Sequence, residues 1–170
     1  MELMEKFEKE FEKTKKELKL KSNLADMDKI FSFRDYINKE GFVSTSLSRQ
    51  LCRRVADYYA SWAQLMHDFV FVNSSSYLNM AESSAFSDED KQKINTLLAK
   101  SMIILRTHSL LNVHEDKKAE SEFMDDAVTL WKKEFDPLLT TLLQKVVDEW
   151  TKRSKAKPEK VKKEKDSMYG

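Results

Sequence analysis

Glycine is almost missing from this chain. Of 170 residues two are Gly and two are Pro, and one of the glycines is the last residue. All-β folds turn often and recruit Gly, Pro, Asn and Asp to do so, so the scarcity predicts long helices with few connections. It also removes chemistry. Phosphate-cradling loops need clustered glycines so that backbone amides can approach the phosphates. With Gly41 the one internal glycine, a P-loop and a dinucleotide fingerprint are both excluded, and so is the Gly-x-Ser-x-Gly nucleophile elbow.

Cysteine is nearly as scarce. Cys52 stands alone, which excludes an intrachain disulfide and a Cys-rich zinc site and fits a reducing, cytoplasmic setting. No apolar run approaches the length needed to cross a bilayer, so no membrane span is expected. The start, MELMEKFEKEFEK, has no basic stretch followed by an apolar core, so no signal peptide is expected. Charge of one sign is lacking overall, with 30 Lys and Arg against 29 Asp and Glu. Its distribution is uneven: eight of those basic residues and three of the acidic ones lie from Lys152 onward, leaving a body near −4 and a tail near +5.

What the chain does have is helical periodicity. The stretch from Leu47 to Val72 places Leu47, Leu51, Val55, Tyr58, Trp62, Leu65, Phe69 and Val72 at steps of three and four, one face of an α-helix. Tyr59, Ala63, Met66 and Val70 broaden that face beyond a narrow seam, as expected of a helix at the centre of a bundle. Ser44, Thr45 and Ser46 offer N-caps for it.

Upstream, residues 2–21 read as a charged amphipathic helix with a thin apolar stripe of Met4, Phe7, Phe11 and Leu18. Glu precedes Lys by four at Glu2–Lys6, Glu5–Lys9, Glu12–Lys16 and Glu17–Lys21, each pair supporting a helix by about 0.2–0.5 kcal/mol. One helix is predicted from about Leu24 to Lys39, with Gly41 as its left-handed stop. Downstream of the central helix, Tyr77–Ala81 predicts a single helical turn. Ser87 caps a helix from Asp88 to about Asn112, with three carboxylates at its positive end. Another begins near Ala119. At Asp136-Pro137 the pattern predicts a break or a kink, and favours a new helix from Pro137 to about Arg153 with Asp136 as its cap, because the residue before proline avoids the helical region.

The expected fold class is therefore all-α, an antiparallel bundle of five to six helices. Residues 22–153 form the bundle, residues 1–21 the charged N-terminal helix, and residues 154–170 a Lys-rich tail of almost no apolar content, expected to be disordered.

Catalytic and metal-binding constellations are not complete in this sequence. The residues three before His67, His108 and His114 are Gln64, Leu105 and Leu111, so the Glu-x-x-His pairs of di-iron bundles are absent. Cys52 lies beside Arg53 and Arg54, charges that can activate a thiol, but a small structural cysteine is the simpler reading. Asp125–Asp126 and Glu120–Glu122 read as solvated acidic faces. No catalytic, cofactor-binding or metal-binding residues are assigned.

The leading expectation is a non-enzymatic protein that binds other proteins or copies of itself, through Met4, Phe7, Phe11 and Leu18. The alternative is a small accessory subunit that contacts RNA or DNA phosphates through Arg49, Arg53, Arg54, Lys155, Lys157, Lys160, Lys162 and Lys163. No helix-turn-helix, zinc-finger or RNA-recognition pattern accompanies those charges.

Overall fold

The computed structural model describes residues 2–156, so Lys157, Lys160, Lys162, Lys163 and most of the expected tail lie outside the described residues. Within them the protein is all-α, as its composition predicts. The helices are α1 (Leu3–Leu18), α2 (Leu24–Phe31), α3 (Phe33–Glu40), α4 (Leu47–Val70), α5 (Tyr77–Ser83), α6 (Asp88–Val113), α7 (Lys117–Leu130) and α8 (Asp136–Lys155). A π-helical turn, Trp131–Phe135, joins the last two.

The periodic stretch at the middle of the sequence is the central helix. Leu51, Val55, Tyr59, Met66 and Phe69 of α4 are buried, and α4 touches α1, α2, α3, α5, α6 and α7. Its most extensive partner is α6, which runs the opposite way: Phe69 packs against Phe86, just before α6, at one end, and Arg49 reaches the Leu111 carbonyl at the other. The antiparallel expectation does not describe every pair. Ser48 meets Glu120 and, further along both helices, Tyr59 meets Ala127, so α4 and α7 run in the same direction. That follows from an up-down-up path through α4, α6 and α7.

Two breaks differ from the sequence reading. The helix expected over residues 24–39 is interrupted at Ser32, whose φ of 52° is left-handed. The side chain of Asp28 takes over there, accepting from the Arg34 backbone N–H at 2.8 Å and from Arg34 Nη1 at 2.7 Å. The corner turns both Phe31 and Phe33 into the core, which one straight helix would not do for residues two apart. Conversely, Asp136-Pro137 is not a break. Asp136 keeps helical angles and donates its N–H to the Trp131 carbonyl. Proline has no N–H and its ring crowds the carbonyl four residues back; the wider π-turn relieves that crowding and lets the helix continue.

The other caps follow the sequence more closely. Ser87 and Asp90 form a reciprocal capping box, Gly41 ends α3 with φ 77°, and Tyr77–Ser83 is a short helix capped by Ser76. Ser46 occupies the N-cap position of α4 but makes no side-chain cap bond; Gln50 instead accepts from the Ser44 N–H at 2.9 Å and fixes the incoming loop.

The N-terminal helix belongs to the same hydrophobic core as the rest. Phe7 and Phe11 are fully buried, in one cluster with Phe33, Ile37, Leu51 and Met124. Arg34 pairs with Glu8 of α1 at 3.0 Å. Asp125 of α7 accepts from the backbone N–H groups of Lys21 and Ser22 and from Ser22 Oγ, tying down the link that follows α1. None of the four expected Glu–Lys pairs closes among the described residues; the intrahelical ion pair of α1 is Glu10–Lys13 at 3.9 Å.

Candidate functional site

The expected contact stripe of α1 is covered by the chain's own body. Phe7 and Phe11 are fully buried, and Met4 and Leu18 are half-buried against the same core. A thin stripe on a charged helix suffices to dock that helix when the bundle supplies a complementary groove. Phe7 and Phe11 therefore hold α1 in place and are enclosed by the bundle, while Met4 and Leu18 keep part of their surface exposed.

The expected phosphate contacts are scattered. Arg49 donates to the Leu111 carbonyl at 3.0 Å and faces Glu120 at 3.9 Å. Arg54 donates to the Phe31 carbonyl at 2.7 Å and lies over the rings of Tyr36 and Tyr58. Arg53 is exposed, and Lys155 ends α8 at the surface. Arg49 and Arg53 share a groove of about 510 Å³ with Tyr36, Gln50, Asp57 and His108; Arg54 does not line it. Burial pushes the His108 pKa down, the charges of Arg53 and Arg49 add to that, and Asp57 opposes it. Asp57 and Glu40 on the same walls offset the two arginines.

A second polar cluster lies inside the bundle. Glu120, expected on a solvated face, is buried. Its Oε2 accepts from Ser48 Oγ at 2.5 Å and from Lys117 Nζ at 3.2 Å. Cys52 lies alongside, donating weakly to the Glu120 carbonyl at 3.8 Å. Burial and then the Glu120 charge push the Cys52 thiol up, the opposite of what a nucleophile needs. Among the described residues no three His, Cys, Asp or Glu side chains converge as a metal site. No helix there is long and apolar enough to cross a membrane.

The feature that sequence reading missed is the outer side of α6. Its inner side carries Ile94, Leu97, Ile104 and Leu111, all buried. Directly opposite lie Ala99, Met102, Ile103, Arg106, Leu110 and Val113, all exposed, with Ile103 and Leu110 at 66% and Val113 at 71%. Ala99, Ile103, Arg106, Leu110 and Val113 follow steps of four, three, four and three, the spacing of a helix–helix seam. The stripe is about 21 Å long. Ile103 also borders a groove of about 490 Å³ beside α6 and α7, lined by Ile104, Phe123 and Leu130 together with Lys100, Asp126, Lys133 and Glu134. The signal was present in the sequence: the apolar residues of α6 fall on two opposed faces, and a helix apolar all round expects neighbours on both sides.

Comparison with known proteins gives no match: no family model, no curated protein and no solved structure is significantly similar to this chain.

Proposed function

We propose that this protein is a non-enzymatic, cytoplasmic, protein-binding helical module, and that a helix of another protein docks along the outer face of α6. One observation carries the reading. Met102, Ile103, Leu110 and Val113, with Arg106 among them, form an exposed and largely apolar stripe on a helix whose opposite side is already packed. Contiguous exposed apolar surface of this kind marks interaction sites. The alternating three- and four-residue spacing favours a helix as the occupant. Self-assembly through this face is the weaker form, because a second copy laid on the same stripe sets Arg106 against cationic residues of its own kind. Phosphate binding has less support, because Arg49 and Arg54 spend donors on backbone carbonyls.

The test is the size of the native protein in extracts of the cells that make it, by size exclusion. Wild type is expected in an assembly well above 20.0 kDa. The Ile103→Ser/Leu110→Ser double variant is expected as a monomer with an unchanged circular dichroism melt. A wild-type protein that elutes as a monomer, or a double variant that keeps its assembly, would overturn the reading.

A further inference from the structure

We infer that the helix docking on α6 is acidic and places a carboxylate in the middle of its own apolar seam, opposite Arg106. The inference rests on the docking reading above and adds the chemistry of the partner.

Arg106 stands at the centre of the stripe, with Ala99 and Ile103 on one side and Leu110 and Val113 on the other. It is exposed and joins no ion pair among the described residues. An arginine stem packs well along an apolar surface, but covering the stripe with a helix takes its guanidinium out of water. That desolvation is tolerable only with an anion in reach, and a carboxylate matches the guanidinium fork with two parallel hydrogen bonds. An apolar residue opposite Arg106 would leave the charge buried and unpaired.

After its acidic first turn, Asp88 to Asp90, the remainder of α6 carries charge of the same sign as Arg106. From Lys91 to His114 there is no Asp or Glu, while Lys91, Lys93, Lys100 and Arg106 all fall within that span. Lys93 and Lys100 have acidic partners, Glu89 and Glu134; Lys91 has none among the described residues. With Lys93 and Lys100 already paired, and with Asp126 and Glu134 lining the groove beside Ile103, Arg106 is the cation that a carboxylate of an incoming helix meets within the stripe. Complementary flanking charges set partner choice in paired helices. A second copy of α6 would instead oppose two acid-free stretches. A nucleic acid would satisfy the cations but would lay phosphates and sugars over Ile103, Leu110 and Val113.

Two synthetic helical peptides of about 21 residues, long enough to span the stripe, test this by fluorescence anisotropy on the full-length protein. Both carry a Leu seam flanked by Glu. One has Glu at the central seam position; the other is an isomer of the same composition, with that Glu moved to the outer face and Leu in the seam. Wild type is expected to bind the seam-Glu peptide about tenfold more tightly than the isomer, and Arg106→Leu is expected to reverse the order. Ile103→Ser/Leu110→Ser is expected to lose both peptides. Equal affinity of wild type for the two peptides, or no binding of the seam-Glu peptide, would overturn the acidic-partner inference while leaving docking on α6 standing. Peptide binding that survives Ile103→Ser/Leu110→Ser would overturn docking on α6 itself. An oligouridylate that binds wild type more tightly than either peptide, and is released by Arg106→Leu, would replace the protein partner with a nucleic acid.

Discussion

Ser48 Oγ donates a 2.5 Å hydrogen bond to the buried carboxylate of Glu120, and the contact joins the first turn of α4 to the first turn of α7. Lys117 Nζ completes the group, donating to both Ser48 Oγ and Glu120 Oε2. The other carboxylate oxygen, Oε1, has no hydrogen-bond partner, and Arg49 Nε lies 3.9 Å from it. With one oxygen already unpartnered, the carboxylate depends on the donors that remain. Ser48→Ala is expected to destabilise the protein by about 1–3 kcal/mol, read from urea unfolding. A loss below a few tenths would show that water or Lys117 takes over the serine's role.

The burial of α1 makes a second prediction. Phe7 and Phe11 are fully enclosed and pack edge to face at 6.2 Å. Phe7→Ala or Phe11→Ala is expected to cost about 3–5 kcal/mol each through lost burial and the cavity left behind. Thermal melts read this directly. A near-neutral variant would mean that α1 is detached in solution and its stripe is free.

Asp90 gives the protein a pH dependence. Its carboxylate accepts from Lys145 Nζ at 2.6 Å and also caps α6. The Lys145 hydrogen bond, and the Ser87 groups behind it, hold its pKa below the usual carboxylate range, against the effect of burial. A carboxyl depressed in the folded state contributes stability that is full above its unfolded pKa of about 3.9 and is lost as pH falls through the folded value. The stability difference between wild type and Asp90→Asn is therefore expected to be constant above about pH 5 and to shrink below about pH 4. Denaturant melts at a series of pH values check it; a difference that does not narrow in acid would sink this assignment.

Ser101 points the other way. It is fully buried between α6 and the core, and its hydroxyl has no partner. A buried hydroxyl without a hydrogen bond costs about 1–3 kcal/mol in desolvation. Ser101→Ala is expected to raise stability by about 1 kcal/mol, seen as a higher melting temperature. An unchanged or lower melting temperature would mean that the hydroxyl is satisfied after all.

Much of this architecture is local, and local features are legible in a sequence. The broad apolar face of α4, the Ser87 cap and the Gly41 stop each depend on residues within a few turns of one another. Scarce glycine and proline favour the all-α class independently of any tertiary contact. Long-range packing decided the rest. A thin stripe such as Phe7 and Phe11 is compatible with docking or with exposure, and only the groove beside α3, α4 and α7 buries it. The break at Ser32 depends on the Asp28 carboxylate reaching forward to Arg34, and on a core with room for both Phe31 and Phe33. At Pro137 the sequence marks a crowded backbone, while neighbours of Trp131 and Phe135 such as Tyr58 and Tyr59 accompany its relief by a π-turn. On α6 the sequence determined that two opposed faces are apolar. The tertiary structure decided which one the bundle consumes, because a helix of this length packs one side on α4 and leaves the side bearing Ile103, Arg106 and Leu110 to water.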